Sequence, residues 1–443
     1  MGSRRSQEVF ADLERRILTG ELEPGARLPT HRELAREHGI ALETASRIYR
    51  RLAHAGLVTG ETGRGTFVRD RSTPAGLGPR PDLPVPVVAD LSVNEPLAPG
   101  QTEMLRNALR QLASAGNLDA LLHQEPAGGR FKDRRIVATY LLSRGIDVPP
   151  QNVLITNGSQ QGLDAALDAT TNPGDVIAIG DLSYPGMRML AQSRKHEFAP
   201  VPVGPEGPDL EALDRIVQHR RVRAIYSEPT MHNPMSWVLS LEQRQRIVEI
   251  ARRHDVHLIE DGTYAFLAPD APPPLQALAP ERTVYVASLS KNFATGLRFG
   301  FIVAPDPLIE GLQSGLRAST YGAPSIVTAL AVGWLADGSV ERMEEERRRD
   351  AQRRQRAVRT ILAGCDLVTH PNSYIVWLRL APGQRMDAVA AALAAKGILV
   401  ATADRYATNG KPPHALRLAI GTVPHETLVA ALRELRAVLD STG

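Results

Sequence analysis

Cysteine is nearly absent: Cys365 is the only one in 443 residues. That excludes an internal disulfide and a cysteine-rich zinc site, and no metal centre is expected. Long apolar runs are missing as well. No stretch approaches the length of a membrane span, and the opening Met-Gly-Ser-Arg-Arg-Ser-Gln-Glu lacks the apolar core of a signal peptide. The expectation is a cytoplasmic protein without a membrane partner. Lysine is scarce too: five of the 52 basic residues are Lys, so Arg supplies almost all the positive charge. What is present is an ordinary globular composition, 43% hydrophobic and 23% charged, in a chain long enough for two or three domains. The charge is unevenly placed. Residues 1–71 hold 13 Arg and 10 acidic residues, a balance of +3 that equals the whole chain's 52 minus 49, so the remainder is neutral at 39 against 39. A basic module joined to a neutral one is implied.

The basic module reads as helices and a hairpin. Val9, Phe10, Leu13, Ile17 and Leu18 share one side of a helix from Val9 to Leu18. Thr30-His31-Arg32-Glu33 is a capping box after Pro29, and it predicts a short helix from about His31 to His38 closed by Gly39. A third helix follows from about Leu42 to Ala55, with Ala45, Ile48, Tyr49 and Leu52 inward. Leu57-Val58, a Gly-rich turn and Thr66-Phe67-Val68 read as a β-hairpin tipped by Arg64. Two short helices joined by a tight turn make a helix-turn-helix. Thr44, Ser46 and Arg47 would then face DNA bases or phosphates, with Arg32 and Arg64 on the backbone and minor groove. A small helical interaction domain with solvated arginines is the plainer alternative. The stretch Leu28 to Ala35, the helix through Thr44, and Gly63-Arg64-Gly65-Thr66-Phe67-Val68 resemble the GntR-type winged helix, which adds Gly65 and Thr66 to the expected double-stranded DNA contacts. The module is assigned residues 1–71. Residues 72–88, with five prolines, read as an extended semi-rigid linker.

Residues 89–443 alternate short apolar runs with helical ones, as in an α/β domain with a parallel or mixed sheet, where functional groups collect at strand ends. Strands are expected at 153–155, 176–179, 224–226, 256–259, 284–286 and 299–303. Lys291 follows one of them in Ser-Leu-Ser-Lys-Asn-Phe-Ala-Thr-Gly-Leu-Arg, ending at Arg298. A rare amine among hydroxyls, with a guanidinium seven residues on, is the pattern of a pyridoxal 5'-phosphate anchor: the amine takes the cofactor's aldehyde, and the hydroxyls and Arg take its phosphate. Thr156-Asn157-Gly158-Ser159-Gln160 lies between strand and helix, where amides and the Ser159 hydroxyl receive a phosphate. Tyr184 follows the next strand and could stack on a ring. Asn233 offers an amide, and Asp261 ends a strand with Tyr264 close behind, suited to a protonated ring nitrogen. Arg417 sits in an apolar alternating strand, where a buried guanidinium needs an anion such as an α-carboxylate. Each also has a bland reading: a turn, a packed Tyr, a helix cap, a structural salt bridge.

In this order, these features resemble the aspartate aminotransferase fold, PLP fold type I, over nearly all of residues 90–443. The resemblance implies that Lys291 carries the cofactor and Asp261 pairs with its ring nitrogen. Asn233 and Tyr264 would serve its ring oxygen, Tyr184 would stack, and Ser159, Gln160, Ser288, Ser290 and Arg298 would hold its phosphate. Arg417 becomes the clamp for an effector or substrate carboxylate. The larger part of this domain is expected at about 95–325 and the smaller at about 326–443. A winged helix-turn-helix, a Pro-rich linker and this fold in one chain resemble the MocR regulators, which implies a homodimer and a small-molecule effector, an amino acid or a B6 vitamer. The chain departs from the family's patterns in three places: His123 stands where a Tyr is usual, Asn233-Pro234-Met235-Ser236 replaces Asn-Pro-Thr-Gly, and Asn372-Ser373-Tyr374-Ile375 replaces a Gly-Gly-x-His stretch. The function expected is a PLP-dependent transcriptional regulator. A catalytically active aminotransferase with a DNA-binding appendage is the alternative.

Overall fold

The computed structural model describes residues 2–23, 25–54, 57–61, 65–68, 85–95, 100–114 and 118–441. Its first unit forms where local signals are strongest. Helix Gly2–Leu18 turns Val9, Leu13 and Ile17 inward. Helix His31–His38 opens with both halves of the capping box: Glu33 N donates to Thr30 Oγ1 at 3.3 Å, and Thr30 N donates to Glu33 Oε2 at 2.7 Å. Gly39 closes it at φ 60°, a left-handed cap that glycine adopts without strain. Helix Leu42–His54 packs on it through Ala45, Ile48, Tyr49 and Leu52. Strand Gly65–Val68 lies between Arg27–Leu28 and Val58–Glu61, completing a winged helix-turn-helix. The wing tip with Arg64 falls outside the described residues.

The second unit is built on a seven-stranded sheet in the order 153–156, 300–303, 283–288, 257–261, 222–227, 176–180, 197–201. Only Gly300–Val303 runs antiparallel to its neighbours. Helices cover both faces, so most strand residues are buried and read as apolar runs rather than alternating ones. The consequence for function is directional. The carboxyl ends of the other strands lie along one edge, and there the chain sets down Gly158, Asn233, Asp261 and Lys291, with Arg298 leading into the reversed strand.

A five-stranded sheet, 366–369, 375–379, 415–419, 398–402, 89–91, forms the smaller part. Two expected boundaries, near 325 and at 88, shift. The division near 325 falls later, because helix Ser325–Ala336 buries Leu330, Ala331 and Trp334 in the core of the larger part with Val137 and Phe301. Strand Ala89–Leu91 belongs to the small sheet, pairing in parallel with Ile398–Thr402. The linker also ends sooner than residue 88, since Val88 N donates to Gly397 O at 2.8 Å.

Candidate functional site

Between the two parts lies an open cavity of about 170 Å³, lined among others by Ser159, Gln160, Tyr184, Asn233, Asp261, Tyr264, Ser290, Lys291, Arg298 and Arg417. Ten residues singled out from five separate strand ends and one small-sheet strand thus share one wall.

Lys291 is mostly buried, and Nζ donates to the Asn94 carbonyl at 2.6 Å. Its pKa is pushed down to about 8, first by burial and then by the positive charges of Arg417 and Arg298, with Glu95 opposing. Asp261 is 6% exposed; Oδ1 accepts from Thr263 N at 2.9 Å and Oδ2 from the Tyr226 hydroxyl at 3.1 Å. Burial raises its pKa while those hydrogen bonds favour the anion. The Tyr264 hydroxyl accepts from Asn94 Nδ2 at 3.1 Å, and burial pushes its pKa up to about 12. Tyr184 donates to Gln160 Oε1 at 3.1 Å, and Gln160 Nε2 donates to Gly186 O at 3.0 Å, so Gln160 orients the aromatic ring. Gly186 is required beneath it: an added Cβ would lie 2.3 Å from Tyr184 Cε1.

The anion-binding corner depends on two backbones. Gly158 opens helix Gly158–Thr170 at φ 80°, and a Cβ there would fall 2.7 Å from Arg298 Nη2. Arg298 itself is left-handed at φ 54°. Ser290 Oγ is buried and without a partner among the described residues. Ser288 is not on the cavity wall; its hydroxyl accepts from Ser290 N at 3.4 Å and shapes the turn before Lys291. Across the cavity, Arg417 is 3% exposed, donates from Nη1 to Ser92 O at 3.2 Å, and leaves Nε without a partner among the described residues. A buried amine, a helix N-terminus beside a guanidinium, an orphaned hydroxyl and a buried carboxylate fit a phosphate-bearing aldehyde with a basic ring nitrogen.

Sequence reasoning missed Asn94, Glu228, Thr263 and Tyr406, all on the wall. Glu228 directly follows strand Val222–Ser227, so the strand-end rule that found Asp261 would have found it. It accepts from Asn233 N at 3.3 Å, and its pKa is raised well above the carboxylate range by burial and then by Asp261. Two of the departures meet in space: Ser236 Oγ lies 2.8 Å from Ser373 Oγ and donates to Ile375 O at 3.1 Å. Ser236 and Ser373 thereby join the Asn233 loop to the small sheet. His123 is exposed, and its carbonyl accepts from Ser325 Oγ at 3.0 Å.

On the winged helix, Arg32 and Arg47 are exposed and Thr44 is half-buried. Ser46 Oγ lies 3.0 Å from His31 Nδ1, and the His31 ring stacks on Tyr49 at 4.8 Å, so Ser46 joins the two helices. Thr66 sits mid-ladder between Leu28 and Gly60. Gly65 lies beside Arg27, whose Nε would be 3.0 Å from an added Cβ.

Residues 86–435 match the family model "Aminotransferase class I and II", and residues 5–68 match "Bacterial regulatory proteins, gntR family". The chain is 26% identical to the uncharacterized HTH-type transcriptional regulator YdeF of Bacillus subtilis, over 98% of this chain and 94% of that one. It is 26% identical to the 2-aminoadipate transaminase of Thermus thermophilus, over 76% and 86%. It is 25% identical to the probable rhizopine catabolism regulatory protein MocR of Rhizobium meliloti, over 75% and 72%. Among solved structures, LysN, the α-aminoadipate aminotransferase of Thermus thermophilus complexed with N-(5'-phosphopyridoxyl)-L-leucine, superposes with a TM-score of 0.73 at 25% identity, over 80% of this chain and 92% of that one.

Proposed function

Because the chain belongs to the class I and II aminotransferases and carries a gntR-family winged helix, we propose that it is a PLP-dependent, DNA-binding transcriptional regulator whose aminotransferase-like domain senses an amino acid or a B6 vitamer. The observation that carries this reading is the combination of the two units: a winged helix-turn-helix precedes a pocket that fits the cofactor, and a relative named as a transcriptional regulator aligns over 98% of this chain. Pyridoxal phosphate is the cofactor of this fold; when bound, it supplies an aldehyde that captures amines and a ring that draws electrons from the captured carbon. Lys291 would hold it, with a free electron pair on Nζ made available by the lowered pKa. Asp261 would face its ring nitrogen, Tyr184 its ring face, and Asn233 and Tyr264 its ring oxygen. Ser159, Ser290, Arg298 and the amides opening helix Gly158–Thr170 would hold its phosphate. Gln160 acts through Tyr184. Arg417, whose Nε has no partner among the described residues, would take an effector carboxylate.

The working unit is a homodimer. Leu105, Leu109, Leu118, Leu122, Phe131 and Ile326 are exposed, Leu122 at 85%, on or next to helices Gln101–Ser114, Asp119–Leu122 and Phe131–Leu142, each packed against Ser325–Ala336, which carries Ile326. Such a cluster on a soluble protein marks an interface. Leu122→Asp is expected to shift sedimentation from dimer to monomer; an unchanged profile at micromolar concentration would remove this face from the interface. Among the described residues no helix is long and apolar enough to cross a membrane.

Binding to DNA upstream of its own gene, with and without pyridoxal phosphate and amino acids, tests the reading. The affinity is expected to be specific and to change with the small molecules. Arg47→Ala should weaken it roughly tenfold and leave the cofactor absorbance unchanged. Absence of specific binding under every condition would defeat the regulator. Steady transamination without any DNA response would favour the aminotransferase instead.

A further inference from the structure

The residues of the cavity wall that come from nearest the DNA-binding head are Ser92 to Glu95. They follow strand Ala89–Leu91, which is continuous with the linker, and they are tied on both sides. On the outer side, Thr422 Oγ1 donates to Val93 O at 2.6 Å and accepts from Glu95 N at 3.0 Å. On the inner side, Ser92 O accepts from Arg417 Nη1 at 3.2 Å, and Asn94 O accepts from Lys291 Nζ at 2.6 Å. Asn94 Nδ2 also donates to the Tyr264 hydroxyl at 3.1 Å. Asn94 is 4% exposed, with Oδ1 buried and without a partner among the described residues; Gly421 makes room for it, since a Cβ there would lie 2.9 Å from that oxygen.

Two cations are therefore held by carbonyls only two residues apart, and they are the two cations that a cofactor and a carboxylate require. A cofactor taken by Lys291 competes with Asn94 O; a carboxylate taken by Arg417 competes with Ser92 O. Both ligands act on the same four residues. Those residues pass directly into strand Ala89–Leu91, whose hold on the small sheet includes the amides of Val88 and Ala89 on Gly397 O at 2.8 and 3.1 Å.

We propose that Ser92–Glu95 is a strap that couples occupancy at Lys291 and Arg417 to the strand leading into the linker, with Asn94 as the positioning residue that fastens it to the site. The inference rests on the regulator reading for its purpose, but its mechanical claim is separable. The lysine and arginine bonds are charge-assisted, so exchanging one for a ligand contact removes a strong restraint from the strap.

Hydrogen exchange over residues 85–95 of the full chain, with and without pyridoxal phosphate and beside DNA affinity, tests it. Loading, followed by cofactor absorbance, is expected to raise exchange at Val88, Ala89 and Glu95 about tenfold, the effect of one lost charge-assisted hydrogen bond. Thr422→Val, which leaves the cavity wall intact, should exchange fast before loading and gain less than about twofold on it. Asn94→Ala should behave alike. Exchange that does not change when the wild type loads overturns the strap, as does a full response in Thr422→Val. A tenfold response in exchange with no change in DNA affinity upholds the strap and sinks the regulator reading instead.

Discussion

Lys291→Ala is expected to abolish the cofactor absorbance and to let pyridoxal phosphate leave on gel filtration, whereas the wild type retains it. Lys291 is the only lysine lining the cavity among the described residues, and its nitrogen is held in place by the Asn94 carbonyl. The pH dependence follows from its pKa of about 8. Only the neutral amine attacks an aldehyde. At pH 7 roughly a tenth of Lys291 is neutral, against about one part in 2,500 for an ordinary lysine. The wild type should load about tenfold faster for each pH unit up to about 8 and level off above it. Stability moves in a related way. The folded pKa lies below the unfolded one, so between about 8 and 10.5 the unfolded chain binds more protons and stability rises with pH. Below 8 the cost of the buried charge is fully present. Lys291→Met should therefore raise the stability of the cofactor-free protein at pH 7, by up to roughly 3 kcal/mol. Cofactor retained by Lys291→Ala, or loading indifferent to pH, would take the anchor away from Lys291.

What the sequence made legible was what side chains announce locally. The capping box at Thr30 and Glu33 and the left-handed Gly39 set helix His31–His38 to the residue, because both signals are short-range. The strands of the large sheet stood out because burial on both faces turns them into apolar runs. Lys291 stood out as a rare amine among hydroxyls, Asp261 as a carboxylate ending a strand and Arg417 as a guanidinium in an apolar strand, and each lines the cavity. Other features were silent for physical reasons. Ser92 and Asn94 hold Arg417 and Lys291 through backbone carbonyls, which any residue type provides. Ser288 lies in a strand buried on both faces, so alternation could not tell which way its hydroxyl turns. Ser46 looked like a DNA contact from its place on the helix, yet its bond to His31 depends on how two helices pack. The division near 325 missed for a similar reason: helix Ser325–Ala336 is apolar nearly all round, so its pattern names no side, and contact with Val137 and Phe301 decides it.

Asp261→Ala is expected to lower the apparent affinity for pyridoxal phosphate by roughly 100-fold, as befits removing one partner of a buried, hydrogen-bonded charge pair. The environment is built to keep a carboxylate there. Burial alone favours the neutral acid, and the Thr263 amide and the Tyr226 hydroxyl oppose it. A protonated ring nitrogen would complete the compensation, and removing Asp261 would take away its charged partner. Asp261→Asn separates charge from shape. The amide can still accept from Thr263 N, but it carries no charge, so a loss close to that of the alanine variant assigns the effect to electrostatics. Tyr226→Phe removes a single neutral hydrogen bond, worth about 1 kcal/mol, and should cost less than about tenfold. Equilibrium dialysis of the four proteins at pH 7.5 ranks them. If Asp261→Ala binds as tightly as the wild type, the ring nitrogen has another partner, and the buried carboxylate serves only the turn at Thr263.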